Sequence, residues 1–420
     1  VGSGRRASSK HPWQAWQGRF GEREPDGCRA MGCSSTKDNK VEVGEGRRRL
    51  SVGHAEAETA EAQGKGAEEV EEDRGIITSL NQENILEMLD KTDDSGRKMS
   101  IGSNTDQGTT SFANKSIQQF GEINDEQQHG LGYTCRKGLK PESPNQDSWF
   151  VLKMEKRSIY AVFDGHGQKG HDVSNFVKEN LPKLIIKDSR FAKENYKDCK
   201  QEIHQMLKDV FKKTQSLIST ADRMKKLSAQ MSGTTATLAI HDHPSNQIFV
   251  AHVADSTCVL GTKGARGIEG KPLTRDHKPN LKDERARIEK NGGRVVFDGY
   301  ANHRIYAKNA RYPGLNMSRC LGDLMGHADC GISAEPEVYD FTVEDNQELL
   351  LLCSDGVWEF ITATEAVTIV NEYPVAKYMT AAERLAKEAW DRWIKEEGGA
   401  VVDDITVVLV NLHPGAPKSS

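Results

Sequence analysis

The sequence contains no run of apolar residues long enough to span a bilayer, which excludes a membrane-spanning helix. Its eight cysteines include no CxxC pair and no zinc-finger spacing, so neither a zinc module nor a disulfide scaffold is indicated. Cys258, Cys320 and Cys353 lie in apolar runs, where buried free thiols are expected. A reducing, cytoplasmic compartment is the expectation. A net charge of −5 gives no general reason for nucleic-acid binding. There is no internal repeat, and Val1–Ala30 resembles no targeting peptide. Residues 1–114 also lack apolar periodicity. They are rich in Gly, Ser, Glu, Lys and Arg, and are expected to be mostly disordered, with a short helix around Gln82–Leu89.

That N-terminal stretch does carry one motif. Met31-Gly32-Cys33-Ser34-Ser35-Thr36 fits the myristoylation pattern, provided the natural start is Met31. Gly32 would then take myristate and Cys33 palmitate, and two acyl chains make a stable membrane anchor. The alternative is a chance hexamer, because an internal glycine cannot be acylated.

From residue 115 to 414 the chain reads as one globular domain, followed by a short flexible tail over 415–420. Ser158–Phe163 is β-rich, and Val173–Ile186 and Phe191–Gln230 have helical spacing. Thr234–His241 and Gln247–Gly261 read as antiparallel neighbours joined by His243-Pro244-Ser245-Asn246. Asp283–Asn291, Ala363–Val370 and Ala376–Ile394 are expected helices. Glu348–Cys353 and Ile405–Leu412 are near-continuous apolar strands, with both faces expected to be covered. Helices grouped between strand blocks indicate an α+β fold, with antiparallel sheets packed together and helices outside.

Four acidic islands sit at the edges of these apolar or β-rich runs: Asn145-Gln146-Asp147, Asp164-Gly165-His166-Gly167, Ser354-Asp355-Gly356 and Val402-Asp403-Asp404. Carboxylates gathered from several strand ends repel unless cations lie between them, and Mg²⁺ and Mn²⁺ prefer oxygen ligands. Asp164 can bridge two metals, and Gly165 lets its own carbonyl approach an ion. The bland reading of Asp164-Gly165 is a hairpin turn. His166 beside a ligand suits a general acid; a nitrogen ligand and a surface histidine are the alternatives. His171 is read as surface. Asp355 repeats the strand–Asp–Gly arrangement. Side chains alternate along a strand, so Asp403 and Asp404 cannot both face one ion. Asp404, nearer the strand, is taken as the ligand, and Asp403 is expected to face solvent. Asp255 is either a further metal ligand or a turn residue.

These islands belong to a longer series: VFDGHG at Val162–Gly167, MSGTTA at Met231–Ala236, VADS at Val253–Ser256 and LTRDHKP at Leu273–Pro279. ERARIEKNGGRV at Glu284–Val295, LNMSRCLGD at Leu315–Asp323, LLCSDGVWEF at Leu351–Phe360 and DDITV at Asp403–Val407 follow in order. With NQD at Asn145–Asp147, the series resembles the metal-dependent protein serine/threonine phosphatases of type 2C (the PPM family). The resemblance spans about Gly132 to Leu412. It implies a β-sandwich of two antiparallel sheets flanked by helices (a four-layer αββα fold). It also implies phosphoserine and phosphothreonine hydrolysis by direct attack of a water activated by two Mg²⁺ or Mn²⁺. On this resemblance Asp164, Asp355 and Asp404 bind one metal, and Asp164 with Gly165 the other. Asp147 acts on the second metal through water, His166 is the general acid, and Asp255 belongs to a third metal. Two departures stand out: Gln146 occupies a position where many members carry Glu, and the phosphate-gripping arginine is replaced by Lys140 or supplied by Arg136. Expected partners are phosphoproteins, with no nucleic acid, and the enzyme is expected to be a monomer. A pseudophosphatase would have lost one of Asp164, Asp355 and Asp404, and a small-molecule phosphoesterase is the remaining competitor.

Overall fold

The computed structural model describes residues 55–89, 98–105, 108–121, 130–140 and 143–413. Met31, Gly32 and Cys33 lie outside them, as does the 415–420 tail. The chain divides into a unit Val1–Ala67 and a unit Glu68–Ser420. Everything below concerns the second.

Two antiparallel sheets face each other. The larger runs, in spatial order, Glu337–Thr342, Gln247–Val253, Ala236–Asp242, Arg157–Gly167, Asp147–Lys153, Met99–Ser103 and Ile117–Phe120. The short strands Ser232–Thr234 and Leu321–Gly322 extend it from the far end of Arg157–Gly167. The second sheet runs Gly267–Pro272, Thr257–Gly264, Gln347–Cys353, Ile405–Asn411 and Leu131–Arg136. A third, of Gly293–Phe297, His303–Ala307 and Pro313–Leu315, forms a small appendage.

Alternation along the strands sets the layers. Leu350 and Leu352 point into the core between the sheets, with Val151, Val162, Val250 and Val408. There Tyr133 and Trp149 stack at 4.4 Å between ring centroids. The intervening Leu349, Leu351 and Cys353 point outward, against the helices Ala363–Asn371 and Tyr378–Glu396. The larger sheet's outer face is covered by the helices Gly170–Lys187 and Lys200–Arg223. The result is the expected αββα arrangement, and both apolar strands are covered on both faces, as their composition required.

Two expectations need correcting. Gln247–Gly261 is not one strand. The chain crosses between sheets at Ala254, which adopts φ 77°, so Gln247–Val253 and Thr257–Gly264 lie in opposite layers. Nor does the domain begin at 115. The part of the helix Ala55–Gln82 from Glu68 onward, the helix Ile85–Leu89 and the strand Met99–Ser103 contribute Ile77, Leu80, Met88, Leu89, Met99 and Ile101 to the core. Buried Asp73 accepts hydrogen bonds from Ser216 and Thr220 and pairs with Lys213 at 2.9 Å. A few apolar residues at helical spacing suffice for this docking, although the surrounding composition is polar.

Candidate active site

Strand pairing brings the acidic islands to one end of the sandwich. Asp147 opens its strand directly opposite Asp164. In the other sheet Cys353 pairs with Val407, so the residues just beyond them, Asp355 and the Asp403-Asp404 pair, arrive at the same end. The Asp164 and Asp355 carboxyls come near enough, from opposite sheets, to act on one another. Burial pushes the Asp164 carboxyl well above the usual range, and the charges of Asp147, Asp355, Asp403 and Asp255 push it further. Asp355 is raised in the same way, by burial and then by Asp403 and Asp255. Asp147 is pushed up to about 7 by burial and by Asp404, against the opposing hydrogen bonds of Thr406 and Ser354.

So many carboxyls in one partly buried place are unfavourable without compensating positive charge. Their geometry suits cations. Asp147 Oδ1 and Asp355 Oδ1 are buried with no hydrogen-bond partner among the described residues. A Cβ on Gly165 would come within 2.4 Å of the Gly170 carbonyl oxygen and 2.6 Å of that of Gln146, so only glycine fits beside Asp164. Oxygen donors with unused lone pairs match the needs of hard divalent ions.

His166 Nε2 lies 2.5 Å from Asp323 Oδ2. That carboxylate holds the imidazole pKa above its ordinary value, although burial opposes the shift.

A family model described as protein phosphatase 2C matches residues 138–397, well over half of the chain. The chain belongs to the protein phosphatase 2C family. It is 30% identical over 303 residues to "Probable protein phosphatase 2C 72" of Arabidopsis thaliana, covering 70% of this chain and 89% of that one. "Probable protein phosphatase 2C 48" of Oryza sativa subsp. japonica is 31% identical, over 64% of this chain and 80% of the relative. In fold it is similar to the serine-threonine phosphatase 2C from Toxoplasma gondii, with TM-score 0.59 and 21% identity over 67% of this chain and 94% of that one. This is a protein serine/threonine phosphatase of a metal-dependent family, and its substrates are phosphoproteins.

Within this 2C phosphatase the structure rearranges several expected roles. Asp404 does not offer its carboxylate to the cluster. Its Oδ1 accepts from the Gly138 N–H at 2.7 Å and its Oδ2 from the Gln146 N–H at 2.8 Å. Asp403, expected to face solvent, instead pairs with Lys140 and acts on Asp164 and Asp355. Alternation was the right rule, but its phase was reversed: the inner of the two residues ties loops together. Arg136 is committed elsewhere, to Glu383 through Nε and Nη2 and to the Phe112 carbonyl, with its guanidinium over the Phe112 ring. Of the two basic candidates, only Lys140 stands at the cluster. His171 is buried, not on the surface. Gln146 donates its amide to the Gly167 carbonyl at 2.8 Å, which braces the turn after His166. Asp255 pairs with Lys278 at 2.5 Å.

Asp323 was missed as the partner of His166. Its motif, LNMSRCLGD, was visible, but no local pattern says which strand will lie beside it. The register does: Leu321–Gly322 pairs with Gly233–Thr234, and those residues pair with Gly165 and His166. A second histidine–carboxylate group, His252, His277 and Glu337, lies by a cleft of about 530 Å³ that His252 and Glu337 help to line. His277 Nδ1 accepts from the Ala254 N–H, so in the neutral ring Nε2 carries the hydrogen and has no lone pair for a metal. Glu337 is already held by Arg275 and Arg319.

Proposed function

We propose that the phosphatase hydrolyses phosphoserine and phosphothreonine by direct attack of water, with Mg²⁺ or Mn²⁺ held among Asp164, the Gly165 carbonyl, Asp355 and Asp403. Asp147 stands behind them, and Asp255 would exchange Lys278 for a further ion. The observation that carries this reading is that strand register brings Asp147, Asp164, Asp355 and Asp403 to one end of the sandwich, with Asp147 Oδ1 and Asp355 Oδ1 left unpartnered among the described residues. Two such cations would polarise the phosphoryl oxygens and lower the pKa of the attacking water.

The protein's own groups do the rest. Lys140 contributes a point charge toward the substrate phosphate, without the two-pronged geometry of arginine. His166 donates a proton to the departing serine or threonine oxygen. Asp323 holds the ring in place and favours its protonated form, against the opposing effect of burial.

The test is phosphopeptide turnover with and without chelator, for the native protein and for Asp164→Asn and Asp355→Asn. Chelator-resistant turnover, or full activity in both variants, contradicts the reading. Faster turnover of free phosphometabolites than of phosphopeptides would also count against it. On sequence grounds alone, acylation of Gly32 and Cys33 would place the enzyme at a cytoplasmic membrane surface. Failure of a protein started at Met31 to take up labelled myristate in cells would end that idea.

A further inference from the structure

The strand pairing that gives His166 its carboxylate also gives it a thiol. Cys320 precedes the strand Leu321–Gly322 and Asp323 follows it. Both side chains are buried, at 0% and 1% exposure. Cys320 Sγ lies 3.2 Å from the same Asp323 Oδ2 that His166 Nε2 approaches to 2.5 Å. The nitrogen, sulfur and oxygen donors all lie within 4.8 Å of one another.

The hard-metal cluster next door has oxygen donors throughout. This trio has one nitrogen, one sulfur and one oxygen, a set that discriminates against Mg²⁺ and Mn²⁺ and favours borderline-soft ions. Tetrahedral zinc, with bonds of about 2.0–2.3 Å, puts neighbouring donors roughly 3.3–3.8 Å apart. The sulfur–oxygen spacing is already close to that, and the Asp323 oxygen need withdraw only about 1 Å from the ring. The tautomer that rules out His277 is no obstacle here. His166 Nε2 faces a carboxylate oxygen and no backbone N–H, so its lone pair can be freed. His166 keeps 18% of its side chain exposed, which leaves a way in and room for a fourth ligand.

We propose that His166, Cys320 and Asp323 form a second metal site, selective for Zn²⁺ or a similarly soft divalent ion, and that filling it inhibits the phosphatase by capturing the nitrogen that carries the catalytic proton. On binding, one proton leaves to solvent from the Cys320 thiol and one from His166 Nε2, while Nδ1 keeps its own hydrogen. No electron changes hands. Binding itself stands on the geometry alone. The inhibition rests on the general-acid role of His166 proposed above.

The experiment uses the full chain with its Mn²⁺ supplied, and Co²⁺ as a spectroscopic stand-in for zinc. A thiolate-to-cobalt charge-transfer band is expected in the native protein, absent from Cys320→Ala and Cys320→Ser. Zinc affinity measured by equilibrium dialysis should fall more than about tenfold in both variants. Zinc inhibition of phosphopeptide turnover, scored against each protein's own uninhibited rate, should weaken in parallel. Urea unfolding of both variants guards against misfolding, and the serine variant keeps the side-chain size. A band that survives in folded Cys320→Ser, or unchanged zinc affinity, overturns the site. Loss of the band and of affinity with zinc inhibition intact overturns the inhibitory role, while the site stands.

Discussion

The adjacent acids Asp403 and Asp404 should separate stability from catalysis. In Asp404→Ala the N–H groups of Gly138 and Gln146 lose their acceptors. An orphaned buried N–H costs about 1–3 kcal/mol, and the Gln146 group, partly exposed, falls at the low end. Removing a charge that burial and Asp403 both disfavour returns part of that cost. The net destabilisation is then about 1–3 kcal/mol. Asp403→Ala deletes a side chain that is 29% exposed and pairs with Lys140, itself 33% exposed. Such a pair is worth less than about 1 kcal/mol. The Asp404 N–H also loses its acceptor, Asp403 Oδ1, but relief of the repulsion on Asp164 and Asp355 offsets that, so folding should change less than in Asp404→Ala. Activity should invert this order. Asp403→Ala removes a carboxylate that acts directly on Asp164 and Asp355, and should lower Mn²⁺-dependent kcat/KM by more than about 100-fold. Asp404→Ala should keep most of its activity per folded molecule. Urea unfolding in chelator and phosphopeptide kinetics across a Mn²⁺ series measure the two effects. A fully active, native-like Asp403→Ala beside an inactive Asp404→Ala of unchanged stability would refute the geometry.

Without metal, stability should fall as pH rises. The folded Asp147 carboxyl titrates near 7, far above its value of about 3.9 in an unfolded chain. The folded state therefore holds a proton that the unfolded state has released, and its advantage, complete below about pH 4, is lost as pH rises through about 7. Thermal melting in chelator from pH 4.5 to 8, repeated with Mn²⁺, checks this, and a metal-free protein that gains stability with pH would contradict it. Elsewhere in the domain, Thr362→Ala removes one half of the capping box with Glu365 that starts the helix Ala363–Asn371. It should cost about 0.5–2 kcal/mol in urea unfolding and leave kcat/KM unchanged.

Most of the architecture was legible because it depends on composition that short windows carry. Leu349 to Leu352 read as a strand covered on both faces because nothing polar interrupts them, and the opposite sheet on one face and a layer of helices on the other did cover them. The first part of the domain was hidden for the opposite reason. Ile77, Leu80, Met88 and Leu89 are few among charged neighbours, and only the waiting surface of Lys200–Arg223 and Gly170–Lys187 makes their burial worthwhile. The sheet crossing at Ala254 gave no warning either, since an alanine at positive φ is a tertiary consequence without a local signature.

The site shows where strand logic stops. Period-two alternation says that neighbours point apart, but it does not say which one points where. At Asp403-Asp404 the phase is decided by two loops that the strand meets, at Gly138 and at Gln146. Their N–H groups need an acceptor, and the residue next to the strand is the one in reach. The outer carboxylate is left for the cluster. The same logic gives Asp323 its place. Its own backbone is left-handed, at φ 42°, its N–H is anchored on the Ser232 carbonyl, and a Cβ on Gly233 would strike its carboxylate. A glycine opposite, a strained backbone and a register that runs through two short strands are together what let one acid reach the imidazole. Gly233→Ala should therefore break the contact between His166 and Asp323 without altering either residue, and its pH–rate profile should lose the limb that His166 supplies.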